Sequence, residues 1–171
     1  MLDAALEGAR REGAHCEKII LSKLRFGPCN GCARCARTGV CRTRDDFKPL
    51  YTTLRNAELL LIASPLYFRN LSSATKAFID RLQAFWVYKH VLHKRYPLGK
   101  RKGAFLCASA SNDAQGFKAS RLSVRAGLSV MDVALEAALY VPGVEHKNDI
   151  RKKPEALVRA RALGRRLARH H

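Results

Sequence analysis

The sequence predicts a three-layer α/β domain built on a parallel sheet, and two features carry that expectation. Segments of strand character alternate with segments of helical period along nearly the whole chain, the order that produces strand–helix–strand crossovers. One strand candidate, Glu58-Leu59-Leu60-Leu61-Ile62-Ala63, is almost continuously apolar, as a parallel strand covered on both faces must be. The length of 171 residues suits one domain, 1–171, with its own core.

The elements follow in order. Residues 2–11 form a short helix with Gly13 as its stop. Residues 16–21 are a strand candidate, and a loop rich in Cys, Gly and Arg spans about 25–44. Asp45 or Asp46 can cap a helix running to about residue 56, with Phe47, Leu50 and Leu54 inward. The apolar strand 58–63 ends at Ser64-Pro65. The next helix carries Leu71, Thr75, Phe78, Ile79, Leu82, Phe85 and Trp86 on one stripe. A strand at 102–108, a polar loop, a helix at about 114–131 and a strand at 135–141 closed by Pro142-Gly143 come next. The final helix opens at Pro154, where Pro suits the first turn. Its arginines lie mostly off its apolar stripe and read as a solvated face. In such a sheet ligands bind at the carboxyl ends of the strands, so the loops after Ala63 and Ala108 are candidate site walls.

Hydrophobic residues make up 47% and charged residues 27% of the chain, which excludes wholesale disorder. No apolar run approaches the ~18 residues of a membrane span, and the N-terminus has early acids and no secretory core. A cytoplasmic protein without membrane contact is expected. The net charge of +18, from 32 Lys and Arg against 14 Asp and Glu, favours acidic or phosphorylated partners. The charges are spread along the chain, so nucleic acid is not the expected partner. No Ser/His/Asp pattern marks a nucleophile, and His15, His90, His93 and His146 are isolated.

Four of the six cysteines fall within 13 residues, Cys29, Cys32, Cys35 and Cys41, spaced C-x2-C-x2-C-x5-C. Clustered thiols in a chain without an export signal read as metal or redox ligands rather than a disulfide framework. Gly31 and Gly39 supply the backbone freedom that a tight wrap needs. Four thiolates are the ligand set of a [4Fe–4S] cluster, and the same four can hold zinc. The packed spacing leans toward iron–sulfur. Arg25, Arg34, Arg37, Arg42 and Arg44 lie near enough in sequence to offset a cluster's negative charge. Free thiols in a surface loop are the competing reading. Cys16 and Cys107 lie in strand candidates and are expected to be core residues.

The cysteine run, then Asp45-Asp46, then Ala63-Ser64-Pro65-Leu66-Tyr67-Phe68-Arg69-Asn70, then Lys76-Ala77-Phe78-Ile79-Asp80-Arg81, resembles, in that order, the iron–sulfur flavoproteins and their NAD(P)H-dependent FMN reductase relatives. The resemblance implies a flavodoxin-like three-layer sandwich, bound FMN, and homo-oligomers, dimers or tetramers, that bury the flavin edge. It implies that Ser64, Pro65, Leu66, Tyr67, Phe68 and Asn70 line the isoalloxazine, that Ser109, Ala110 and Ser111 approach it from the next loop, and that Cys29, Cys32, Cys35 and Cys41 are cluster ligands. Tyr67 and Phe68 offer aromatic surface for stacking, although core or subunit contacts would use them equally well. Lys76, Asp80 and Arg81 read as a structural ion-pair set.

Members of that group begin with a strand and a Gly/Ser-rich loop that holds the FMN phosphate at a helix N-terminus. Here the chain opens inside the first helix. The expectation is therefore a start downstream of the first strand and phosphate loop, weak FMN binding, and an unpaired gap in the sheet. Three functions follow: a two-centre electron-transfer flavoprotein that docks an acidic ferredoxin-type donor, a flavin-only NAD(P)H-dependent FMN or quinone reductase, and a basic zinc-bearing binding module.

Overall fold

The structure, a computed structural model, describes residues 1–169; the last two of the expected 1–171 domain lie outside the described residues. Three parallel strands form the sheet's body: β1 (Leu59–Tyr67), β3 (Arg101–Ala108) and β4 (Val133–Val141). The two-residue β2 (Asn70–Leu71) turns back antiparallel on the end of β1, giving the order β2-β1-β3-β4. Helices α1 (Leu2–Arg10) and α6 (Pro154–Arg169) cover one face, and α2 (Leu50–Asn56), α3 (Ser73–Arg81) and α5 (Ala114–Ser129) cover the other. The sandwich has the three layers that the alternation predicts.

Residue alternation along β3 divides the core. Leu106 and Ala104 face Ala5, Leu139, Ala160 and Leu163 on one side. Phe105 and Cys107 face Phe47, Phe78, Leu82, Val124 and Leu128 on the other. The first side is unusually close-packed. A Cβ on Gly164 would stand 1.8 Å from the Ala5 carbonyl oxygen, and one on Gly8 would stand 2.1 Å from that of Arg161. Glycine at both crossings lets the backbones of α1 and α6 touch. The α6 arginines form the expected solvated face, with Arg159, Arg165, Arg166 and Arg169 exposed; on it Arg161 pairs with Glu7 at 2.9 Å, and Arg165 and Arg169 both reach Glu12 at 2.8 Å.

Several boundaries move. The helix expected from Asp45 begins at Leu50, because residues 46–49 form turns; the Asp45 carboxylate accepts the Phe47 amide at 3.2 Å and is shared with Arg81. Ser64-Pro65 does not end the strand. β1 runs on to Tyr67: Pro65 is the last of its residues in register with β3, and Leu66 and Tyr67 pair instead with β2. The long helix after it is three pieces: α3, capped by Ser72; a short α4 (Gln83–Trp86); and a π-helical turn, Val87–Val91.

The main correction is at residues 16–21. They are extended but form no strand and are followed by a 3-10 turn at Leu21–Lys23. An extended segment becomes a strand only by sharing backbone hydrogen bonds, and here a groove of about 1190 Å³ separates it from β1. Ile19, Ile20 and Leu21 line one wall, and Leu59 to Ala63 line the other. The groove runs along the outer edge of β1, which β2 pairs only at Leu66 and Tyr67. Cys16 accordingly is half-buried in an irregular segment, with its thiol near the Leu6 and Ala14 carbonyls, whereas Cys107 is fully buried in β3.

Candidate functional site

At the carboxyl end of β1 the chain makes a two-residue hairpin, with Tyr67 paired to Asn70. Phe68 (φ 47°) and Arg69 (φ 62°) are both left-handed, the pattern of a type I′ turn, which normally selects Asn-Gly. Phe68 is fully exposed and Tyr67 is 60% exposed. Pro65 and Tyr67 look onto the groove beside β1. Ser64 and Leu66 point inward and are buried. The Ser64 hydroxyl accepts the Ser72 amide at 3.1 Å, and Ser72 in turn caps α3 through the Thr75 amide. Asn70 accepts the Leu71 amide at 2.8 Å, so its carboxamide fixes the hairpin.

The loop after β3 is held from below by Tyr140 of β4. Its hydroxyl bonds Ser109 Oγ at 2.6 Å, donates to the Ser111 carbonyl at 3.0 Å and accepts the Asp113 amide at 2.8 Å. Its ring stacks on Phe117 at 4.8 Å. Ser109 is buried, which leaves Ala110 and Ser111 as the exposed backbone of the loop. The two loops meet. Arg69 lies 3.7 Å from the Asp113 carboxylate and 3.5 Å from Gln115 Oε1. A Cβ on Gly116 would stand 2.7 Å from Arg69 Cα. Aromatic surface on one side and pinned backbone on the other, at the carboxyl ends of adjacent parallel strands, suit a flat heteroaromatic ring.

The thiol-rich segment lies along a second cleft of about 710 Å³, lined by all four of Cys29, Cys32, Cys35 and Cys41 together with Tyr51, Arg81 and Trp86. Among the described residues none lines both this cleft and the groove beside β1. Ala33 (φ 53°), Gly31 (φ 70°) and Gly39 (φ 68°) are left-handed, so the segment wraps as the glycines suggest. Cys29 and Cys32 are exposed, and Cys35 and Cys41 are half-buried. Burial raises the Cys35 thiol's pKa, and the neighbouring thiols Cys41, Cys29 and Cys32 add to the rise. At Cys41 burial also pushes upward, but hydrogen bonds from Thr43 and Tyr51 and the charge of Arg81 outweigh it and the pKa falls. Cys107, by contrast, is pushed up to about 12 by burial alone. Among the described residues no three His, Cys, Asp or Glu side chains are gathered closely enough to grip a metal ion as they stand. The four thiols line one cleft, and the other three all act on Cys35.

Arg81, expected with Lys76 and Asp80 as an ion-pair set, behaves differently. Lys76 and Asp80 do pair at 2.6 Å on the helix surface. Arg81 is 4% exposed and grips Asp45 through both terminal nitrogens, at 2.5 and 3.1 Å. Burial opposes its charge, but Asp45 and Tyr51 more than compensate, and its pKa is raised. Removing one member of such a pair strands the other, a change that costs about 3–5 kcal/mol in buried pairs. The sequence held a signal for this: three residues after Phe78, position 81 falls on the inward stripe of α3. Tyr140, the organiser of the 109–113 loop, was also missed, because an aromatic in an apolar strand gives no hint of what its hydroxyl holds.

Residues 1–145 match the family model of the NADPH-dependent FMN reductases. The chain belongs to that family. Within the FMN reductase family it is similar to an iron-sulfur flavoprotein of Archaeoglobus fulgidus, 37% identical over 82 residues, 48% of this chain and 37% of that protein. It is also similar to the iron-sulfur flavoprotein of Methanosarcina thermophila, 27% identical over 113 residues, 66% of this chain and 56% of that one. The matched stretches thus span about half or less of those relatives' own lengths. Among solved structures, an NAD(P)H:quinone oxidoreductase from Methanothermobacter marburgensis superposes with a TM-score of 0.68 at 22% identity, covering 99% of this chain and 89% of its own. An FMN-dependent NADH-azoreductase from Bacillus anthracis in complex with FMN gives 0.64 at 16%, covering 97% and 89%. These two likenesses show the fold, which for this FMN reductase family member is the expected flavodoxin-like one.

Proposed function

We propose that this chain is an FMN-dependent oxidoreductase that passes electrons between a flavin ring at the β1 and β3 loops and an iron–sulfur centre on the thiol-rich segment. The observation that carries the flavin half is the meeting of the β1 hairpin and the β3–α5 loop through Arg69, Asp113 and Gln115. Pro65, Tyr67, Phe68 and Asn70, with Ala110 and Ser111, would form the ring's surroundings, while Ser64, Leu66 and Ser109 hold that wall from inside. FMN supplies exchange of one or two electrons when bound. Around it, the hairpin would exclude water from one side and the Tyr140-braced backbone would orient amides on the other.

Cys29, Cys32, Cys35 and Cys41 would be the ligands of the second centre. A [4Fe–4S] cluster is the version that the spacing and the names of the relatives support, and zinc is the alternative for the same thiolates. NAD(P)H or an acidic ferredoxin-type protein is the reductant we favour, the latter because a chain of net charge +18 attracts an acidic partner. A homo-oligomer would cover Phe68 and Tyr67. Among the described residues no helix is long and apolar enough to cross a membrane, and we place the protein in the cytoplasm. The flavin-only reductase is the second reading; it is favoured by the thiols' not being gathered as they stand. The parallel sheet and the family match weigh against the zinc-bearing binding module.

Anaerobic purification with a visible spectrum, iron and sulfide analysis and an FMN fluorescence titration tests both halves. Flavin quenching that Phe68→Ala weakens, together with about four irons and four sulfides per chain, is the expected result. Flavin binding without iron or sulfide selects the flavin-only reductase. No flavin binding removes the proposal.

A further inference from the structure

Arg81 stands on the buried stripe of α3 beside Phe78 and Leu82, where an apolar side chain would satisfy packing without burying a charge. Its guanidinium instead spends its hydrogen bonds on the thiol-rich segment. It holds the Asp45 carboxylate from two nitrogens, donates to the Gly27 carbonyl at 3.1 Å and reaches Cys41 Sγ at 3.8 Å. The Phe47 ring lies under it at 4.8 Å. Gly27 precedes the first thiol and Asp45 follows the last, so one side chain ties together the two ends of the segment and touches the sulfur nearest its own helix. Tyr51 adds a brace, its hydroxyl donating to the Arg81 carbonyl at 2.9 Å. On the far side the segment is pressed against the π-helical turn: a Cβ on Gly39 would stand 2.9 Å from Tyr88 Cβ.

We propose that Arg81, locked by Asp45, is a positioning residue of the thiol centre: it clamps the two ends of the 27–45 segment and presents Cys41 to the cleft as the fixed sulfur around which the others close. The split in exposure agrees, with Cys41 half-buried beside the clamp and Cys29 and Cys32 exposed away from it. The proposal rests on the redox reading for its purpose and on the Arg81 geometry for its substance.

The test uses the metal-free full chain and two variants, Arg81→Lys, which keeps the charge and loses the fork, and Asp45→Asn, which keeps the shape and loses the charge. Limited trypsin digestion with mass mapping follows cleavage after Arg42 and Arg44 in the segment, against Lys118 on α5 and Arg166 on α6. Co²⁺ titration, read by its thiolate charge-transfer band, follows the thiols as a ligand set. Both variants should speed cleavage at Arg42 and Arg44 about tenfold, by local opening, with the helix sites unchanged. Both should weaken Co²⁺ binding by about 10–100-fold, the usual effect of losing a partner behind a metal ligand. Unchanged segment cleavage, or a rise shared equally by the helix sites, overturns the proposal. If the wild type takes no Co²⁺ while segment cleavage still responds, the clamp stands and the metal reading under the proposed function fails.

Discussion

β1 and β3 each carry an apolar run but sit in unlike settings. Both are apolar runs of the kind that belongs inside a parallel sheet. β3 has a strand on each side, and its residues from Gly103 to Cys107 are buried without a break. β1 has β3 along one edge, but on the other only β2, which pairs with Leu66 and Tyr67. Leu59, Leu60 and Leu61 are therefore only half-buried, and Ala63 is exposed to the groove. Composition makes a strand eligible for the interior, and neighbours on both edges are what place it there.

Substitutions can widen or close that contrast. Leu106→Ala, at a fully buried position of β3, should cost about 2–5 kcal/mol in urea unfolding. Gly164→Ala, behind the same strand, should cost about 1–3 kcal/mol by driving α6 away from Ala5, read as a fall in Tm. Leu60→Ala on β1 should cost only about 1 kcal/mol, because half-burial leaves less to lose. A cost equal to that of Leu106→Ala would mean that the open edge is covered in solution. Fusing an apolar, β-branched segment ahead of residue 1 should raise the cost of Leu60→Ala toward that of Leu106→Ala if the segment enters the groove.

The smallest effect concerns pH. Arg169 and Arg165 hold the Glu12 carboxyl down from 4.5 to about 2. A depressed carboxyl stabilises the fold above its ordinary value, and that contribution fades as pH falls from about 4.5 toward 2. Glu12→Gln should lower Tm slightly at pH 7 and not at all near pH 2, and a difference that grows in acid would contradict the pairing.

The same contrast explains what the sequence made legible. Period and capping located α1, α5, α6 and three strands to within a few residues, because each is decided by its own apolar pattern. Residues 16–21 carried the same pattern and failed, since pairing is a property of two segments and only one was in view. The four thiols were legible from spacing, and their shared cleft follows from it. Arg81 and Tyr140 were not legible as anchors: a guanidinium on an apolar stripe and a hydroxyl at the end of an apolar strand acquire meaning only when the loops they hold lie beside them.

The hairpin tip carries a consequence for anyone redesigning this molecule. Phe68 and Arg69 occupy a backbone shape that asparagine and glycine adopt with little strain, at a cost of order 1–3 kcal/mol for each side chain. A stability screen should therefore pick Asn-Gly there first, and the winner would be a sturdier protein with its one fully bared benzyl ring erased. Thermal robustness and whatever that ring touches are traded against each other at a single bend of the chain.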